Sequence, residues 1–367
     1  MAEYKTLVKR IPISPEKKTK QKDYLKKGQL PIVDQGQGLI GGYTDDTGMT
    51  VNCDLPVIVF GDHTRAVKYI TFPFGAGADG IKVLQPKDSF LPLYLYYGMQ
   101  YIVAKMPTRG YARHYQYVEK EDLFVPPLPE QERIVARIEE LFSQLDAGVE
   151  TLKKTKAQLV VYRQAVLKEA FEKLPECVSL GSISESRLGK MLDKEKNTGE
   201  LRRYLRNINV RWFDFDLSDL LEMRIEDSEV DKYSLCKGDL VICEGGEPGR
   251  CAVWDTDDRV FYQKALHRVR FTDGSNPKFY MYYLWYAAQT GQLKSLFTGT
   301  GIKHLTGQSL VKVQVPTAER STQELAVNEI ESRLSVCDSI EQTVDVALQQ
   351  AEAMRQSTLK QAFEGKM

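Results

Sequence analysis

The feature that most constrains this chain is a long internal duplication. Residues Gln131 to Glu172 align without a gap on Gln323 to Glu364 at an offset of 192, with sixteen of 42 positions identical. The identities include Gln131/Gln323, Glu132/Glu324, Ile138/Ile330, Asp146/Asp338, Arg163/Arg355 and the run Ala170-Phe171-Glu172 against Ala362-Phe363-Glu364. Weaker echoes lie upstream: Pro92-Leu93-Tyr94 against Pro277-Lys278-Phe279, Gly110 and His114 against Gly301 and His304, Val125-Pro126 against Val315-Pro316. Self-similarity at so long a period means that two copies of one structural unit follow each other in the chain.

Both copies of the duplicated segment predict long helices. In the first, Ile134, Ile138, Leu141, Leu145, Val149, Leu152 and Leu159 fall on alternating spacings of three and four, with Lys156 at the one seam position left over. Pro129 suits a first helical position and Pro175 closes the segment; Gly148 weakens its middle by about 1 kcal/mol relative to alanine. The second seam reads Ile330, Leu334, Cys337, Val344, Leu348 and Ala351, and Ser321 with Glu324 has the pattern of a capping box. From Glu130 to Glu172 such a helix is about 64 Å long at 1.5 Å per residue. A one-sided apolar stripe of that length needs a partner. The other copy is the simplest one, and antiparallel pairing would relate the attached modules by a pseudo-two-fold axis; a homodimeric coiled coil serving only assembly is the competing arrangement. Charges at the seam, Lys156 and Arg163, leave either pairing imperfect.

The remaining sequence predicts two mixed α/β modules. Strand-like runs occur at Pro56–Phe60, Asp239–Cys243 and His267–Phe271, and Asn276-Pro277 opens a capped helix reaching from Phe279 to Gln292. The fold class is therefore α+β, with boundaries at residues 1–128 (first module), 129–174 (first helix), 175–318 (second module) and 319–367 (second helix).

Catalytic constellations are represented only by imitations. Phe74-Gly75-Ala76-Gly77-Ala78-Asp79-Gly80 satisfies a G-x-G-x-x-G pattern, but Ile81-Lys82-Val83-Leu84 after it predicts a strand where a ligand-holding helix is required, so a tight turn is expected. Asn276-Pro277-Lys278-Phe279 approaches the tetrapeptide with which adenine methyltransferases hold a flipped base, yet lacks its second proline and reads as a helix cap. Phe60-Gly61-Asp62-His63 reads as a loop dyad touching phosphate or capping a turn. No P-loop is present. The four histidines show no metal spacing, and the six cysteines form no C-x-x-C pair, which speaks against zinc and a disulfide framework.

Nucleic-acid binding is better supported. Fifty Lys plus Arg balance fifty Asp plus Glu, so a polyanion partner requires basic residues gathered on one face. The Lys-rich stretch from Lys5 to Lys27 is open between such a basic face and a solvated or disordered arm. Base edges are read by Arg, Lys, Asn or Gln making paired hydrogen bonds, and phosphates are held by cations or backbone N–H groups. On that basis the candidate DNA contacts are Gln35, Gln37, His63, Arg65, Lys68, Arg109, Arg113 and His114 in the first module. In the second they are Arg203, Arg206, Asn207, Arg211, Arg250, Lys264, Lys303 and His304. An early run of charge and the lack of any roughly 18-residue apolar stretch predict a cytoplasmic chain without a membrane span.

Several of these stretches resemble one family. Pro127-Leu128-Pro129-Glu130-Gln131-Glu132-Arg133-Ile134-Val135, running into a helix that ends Leu167-Lys168-Glu169-Ala170-Phe171, is similar to the first conserved region of the specificity subunits of type I restriction-modification enzymes. The second copy, ending Leu359-Lys360-Gln361-Ala362-Phe363-Glu364-Gly365, resembles their second conserved region. Tyr204 to Val210 and Leu235 to Gly246 resemble stretches within the family's target recognition domains. The resemblance implies two target recognition domains, each reading half of a split sequence in double-stranded DNA, held apart by a helical pair that sets the unread gap. It also implies two modification subunits bringing S-adenosylmethionine and restriction subunits bringing ATP and Mg, with no cofactor on this chain. Two rivals stay open beside it: a stand-alone DNA adenine methyltransferase and a coiled-coil structural adaptor. One departure is the opening Tyr4-Lys5-Thr6-Leu7-Val8-Lys9, which lacks the Leu180-Gly181 of the second module.

Overall fold

The computed structural model describes every residue except 78, 79, 108–111, 175, 194 and 196. The chain divides into two compact units, one of residues 1–154 with 344–367 and the other of residues 155–343. Two long helices, Leu128–Glu172 and Arg320–Phe363, each give one stretch to each unit.

In the first unit an antiparallel sheet runs in the order Val8–Ile11, Ile81–Pro86, Val57–Gly61, Val67–Ile70. All of Val57–Gly61 is buried, which is why that strand is a continuous apolar run instead of an alternating one. A second sheet runs Lys18–Thr19, Gly75–Gly77, Leu30–Val33, Gly42–Thr44. Gly75–Gly77 is thus a buried strand and not the expected turn. A Cβ on Gly75 would stand 2.7 Å from Ile32 Cδ1, and one on Gly77 2.5 Å from both Asp34 Cβ and Tyr24 Oη, so the glycines serve close packing. Residues 78 and 79 of that motif lie outside the described residues. The Lys-rich stretch is solvated but is not a free arm: most of its lysines are exposed, while Val8–Ile11 is an edge strand of the first sheet and Lys18–Thr19 an edge strand of the second.

The second unit repeats this plan. Its main sheet runs Ser184–Leu188, Leu266–Phe271, Leu240–Cys243, Cys251–Val253, the same order as in the first unit. In its second sheet Glu200–Leu205 pairs parallel with Phe261–Tyr262 and antiparallel with Leu221–Ile225, as Leu30–Val33 pairs with Gly75–Gly77 and Gly42–Thr44. Cys177–Ser179 pairs with Gln314–Pro316 as Ala2–Glu3 pairs with Asp122–Leu123. Tyr4 therefore stands where Leu180 stands in the second unit; both are buried, and the tyrosine hydroxyl donates to Leu95 O at 2.9 Å.

A duplicated glutamine explains how each module is fastened to its long helix. Gln131 is buried; its Nε2 donates to Pro126 O at 2.9 Å and its Oε1 accepts from Leu91 N at 3.0 Å, immediately before the Pro92–Lys105 helix. Gln323, equally buried, donates to Ala318 O at 2.9 Å and accepts from Asn276 N at 2.7 Å, immediately before the Pro277–Gln289 helix. A buried amide that joins two otherwise orphaned backbone groups is costly to replace. Asn276 caps its helix as expected, its side chain accepting from Lys278 N at 3.1 Å, although the helix ends at Gln289 and not at Gln292.

In each unit the helical stretches run antiparallel. In the first, Ile134, Ile138 and Phe142 share a core with Leu359, Ala362 and Phe363, and further along Asp146 is bonded to Arg355. In the second, Arg163 bonds Asp338 and, further along, Glu169 bonds Arg333. The predicted seam is on the inner side: Ile134, Ile138 and Leu159 are buried, and Leu141, Leu145, Val149 and Leu152 half-buried. Ile330, Leu334, Cys337, Val344 and Ala351 are buried and Leu348 is half-buried. The seam charges do not spoil the pairing. Lys156 lies 3.3 Å from Glu341, which fills the gap in the second seam, and Arg163 bonds both Asp338 at 2.7 Å and Glu341 at 2.8 Å. The repeat's phenylalanine is locked on both sides: Phe363 packs on Tyr94 and Tyr101, Phe171 on Phe279, Tyr283 and Tyr286. The expected capping box at Ser321 is absent, because the helix starts one residue earlier and Glu324 is bonded to Arg320 at 2.6 Å.

Candidate nucleic-acid interface

In the first unit the strands Val57–Gly61 and Val67–Ile70 are joined by a turn in which Gly61 N donates to Ala66 O and Arg65 N to Gly61 O, each at 2.8 Å. Arg65 adopts φ 61°, a left-handed conformation unusual for a residue with a side chain. Arg65, Thr64 and Gln37 line a cavity of about 570 Å³ together with Gln100, Arg355 and Gln356. Gln37 and Arg113 are exposed, and Gln35 and His63 are half-buried; Arg109 lies outside the described residues.

Burial removes two sequence candidates from this surface. Lys68 is 4% exposed; its Nζ donates to Asp34 O at 2.7 Å and lies 3.5 Å from Asp34 Oδ1. Burial lowers its pKa, against the opposing pull of Asp34. The same Asp34 carboxylate accepts from Gly36 N at 2.9 Å, so Lys68 buttresses the loop that presents Gln37. His114 is also buried, its Nδ1 lying 2.9 Å from Asp62 O, and it anchors chain segments instead of meeting a ligand.

In the second unit the candidates converge. Asn207, Lys264 and His304 line one cavity of about 570 Å³ with Glu244, Gly245, Gly246, Gln263, Ala265, Met191 and Leu192. The glycines make the approach possible. Gly246 has φ +78°, and a Cβ there would lie 3.0 Å from Asn207 Nδ2; a Cβ on Gly245 would lie 3.1 Å from His304 Nδ1. Arg250 donates to Asn207 O at 2.9 Å and pairs with Glu247 at 2.9 Å, so it positions Asn207. Arg206 is likewise engaged, with Asp219 at 2.7 Å. Lys303 Nζ donates to Gly299 O at 2.7 Å, inside a loop closed by mutual backbone hydrogen bonds of Thr298 and His304. Arg203, Arg211, Lys264 and Lys303 are exposed cations.

Of two equivalent acidic positions, sequence reasoning placed Asp62 in a loop dyad and passed over Glu244. The strand registers pair Phe60 with Lys82 and Ile242 with His267, which makes Asp62 and Glu244, each two residues beyond, structural equivalents. Asp62 is closed off: its side chain is 4% exposed, accepts from Tyr115 N at 2.8 Å and lies 3.2 Å from Lys82 Nζ. Burial raises its pKa, but the Tyr115 N–H and the Lys82 ammonium outweigh that and hold it below the usual value. Glu244 is 21% exposed in the cavity wall, 3.5 Å from His267 Nε2, which makes no hydrogen bond among the described residues. Burial pushes Glu244 up, and pushes His267 down to about 4, so the imidazole is neutral at pH 7. Only a search for equivalent positions, not for donor residues, could have singled out Glu244.

The buried thiol of Cys243 is pushed up to about 11 and that of Cys251 well above its ordinary value, so neither supplies a thiolate. Among the described residues no group of His, Cys, Asp or Glu is placed to hold a metal ion, and no helix is long and apolar enough to cross a membrane.

No protein-family model matches the sequence. Two curated proteins are similar to parts of it. The EcoKI specificity subunit of the type I restriction enzyme from Escherichia coli (strain K12) is 24% identical over 264 residues, covering 66% of this chain and 57% of that protein. The EcoR124I/EcoR124II specificity subunit of Escherichia coli is 29% identical over 159 residues, covering 40% of this chain and 39% of that protein. The matches thus span about half the length, or less, of these relatives. Among solved structures, a chain of a type I R-M system, from work on its complex assembly and conformational transition, superposes with TM-score 0.74 at 15% identity, covering 100% of this chain and 97% of that one. The HsdS subunit from Thermoanaerobacter tengcongensis superposes with TM-score 0.55 at 16% identity, covering 100% and 96%. These likenesses show the fold: two duplicated mixed modules with two long helices.

Proposed function

We propose that this chain is a DNA-recognition subunit of the type I restriction-modification kind, reading a split site in double-stranded DNA with its two modules while the paired helices set the unread gap. The observation that carries it is the duplication in three dimensions, two units with one sheet order, each closed by an antiparallel helix pair. The sequence similarity to specificity subunits points the same way. Residues 1–128 and 175–318 serve as the recognition domains and 129–174 and 319–367 as the spacer. Each module brings exposed cations for phosphate and amide side chains for base edges, the two contact classes that sequence-specific binding needs.

On this reading the chain performs no chemistry. Modification subunits bring S-adenosylmethionine, restriction subunits bring ATP and Mg, and the assembly works in the cytoplasm. Zero formal net charge implies that the isolated chain grips DNA weakly and that partner subunits add to the hold.

Anisotropy titration of a labelled duplex, with and without the modification subunit, tests the proposal. Affinity should fall steeply as salt rises from 50 to 200 mM, because released counterions drive phosphate contacts. A coiled-coil adaptor would show no salt-dependent binding, and methyl transfer by the purified chain alone would establish the methyltransferase reading instead.

A further inference from the structure

We infer that Glu244 is a specificity-determining residue through which the second unit selects a base that presents an amino group in the major groove, cytosine or adenine, and that the equivalent Asp62 of the first unit takes no part in base selection. This deepens the DNA-recognition reading and rests on it. The two carboxylates occupy equivalent places beyond equivalent strands. Asp62 has its donors already, the Tyr115 N–H and the Lys82 ammonium. Glu244 faces an imidazole whose neighbouring nitrogen makes no hydrogen bond among the described residues, and it opens into the cavity that Asn207, Gln263, Lys264 and His304 also line.

The chemistry follows from what a carboxylate does beside a polyanion. Phosphate repels it, so Glu244 weakens non-specific binding and cannot serve grip. In the major groove cytosine N4 and adenine N6 present donors that a carboxylate accepts from, while guanine O6 and thymine O4 present acceptors that it rejects. A residue that penalises the wrong base and is satisfied by the right one supplies specificity. Lys264 and His304 line the same wall and would serve the flanking phosphates, while Gly245 and Gly246 let the His304 and Asn207 side chains lie close against the backbone there.

The test uses the full chain, tagged and purified from its native cells with the subunits that accompany it. The complex is offered a library of random duplexes, and the bound fraction is sequenced. The native chain should define one base pair, in one half-site, at which C·G and A·T in one strand orientation are enriched over G·C and T·A. Glu244→Ala should abolish that preference. Glu244→Gln, which can also turn its amide to donate, should relax it roughly 5- to 150-fold, the range of one good base contact. The other half-site should be unchanged, and Asp62→Asn should shift no base preference. Thermal melting shows whether each variant folds, and the isosteric Gln variant decides if the Ala variant does not. A native split site that Glu244→Gln leaves intact at every position overturns the assignment alone; a native chain that enriches no sequence overturns the DNA-recognition reading with it.

Discussion

The Asp146 carboxylate accepts a hydrogen bond from the Arg355 guanidinium, which also lies 4.5 Å from the centre of the Phe142 ring. The same two residue types, exchanged between the helices, meet again where Arg163 bonds Asp338 at 2.7 Å. Each repeat thus supplies an Asp that pairs with the Arg of the other repeat, which is the physical reason both identities persist through the duplication. Because Asp146 is 65% exposed, solvent screens the pair. Asp146→Ala should cost about 0.5 kcal/mol and Arg355→Ala about 1 kcal/mol, the larger figure including the lost ring contact. A double-mutant cycle by chemical denaturation should return a coupling near 0.5 kcal/mol; strict additivity would show that the pair contributes nothing.

Gln131 and Gln323 are expected to tolerate substitution far less. Gln131→Ala leaves Pro126 O and Leu91 N–H without their shared partner, at a cost of about 2 kcal/mol or more. Hydrogen exchange provides a local readout. The Leu91 amide should exchange faster in Gln131→Ala while Asn276 keeps its native rate, and Gln323→Ala should give the reverse. Equal acceleration at both amides would contradict the assignment of one staple to each unit.

Acid should weaken the second unit through His267. Burial lowers its folded pKa to about 4, from an ordinary value of 6.5. Between those limits the unfolded chain binds a proton that the folded one refuses, so stability falls as pH drops from about 6.5 towards 4, by roughly 3 kcal/mol in total. Glu244, raised by burial, contributes in the opposite sense just above the ordinary carboxylate range. Denaturation midpoints of native chain and His267→Gln, measured from pH 7 to 4, should show a shallower decline in the variant. Parallel curves would mean that the imidazole is not held neutral by its surroundings.

What could be read from the sequence was whatever repeats or has a period. The helix seam was legible because apolar spacing of three and four survives in Ile134, Ile138 and Leu159 whatever the context, and Asn276 because capping is local. The candidate surface was less legible because its logic is long-range. Lys68 is withdrawn from solvent by Asp34, 34 residues away, and His114 by Asp62, 52 residues away. Arg206 and Arg250 look like free donors in the sequence but are occupied by Asp219 and Glu247. Glu244 was missed because a carboxylate is not sought where a polyanion is expected.

If the helices act as a ruler, shortening both changes only the gap. Deleting four residues near Gly148 together with four near Ile340 removes about 6 Å of helix, equivalent to roughly two base pairs. Sequencing of methylated sites in cells expressing that variant should show a shorter gap between unchanged half-sites. Altered half-sites at constant gap would refute the ruler.

The most direct test of the central claim is the sequence preference of the native complex in random-duplex selection. Two short specified segments, separated by a constant number of unspecified base pairs, are the result expected of two modules on one helical pair. A single uninterrupted motif, or no enrichment at all, would contradict it.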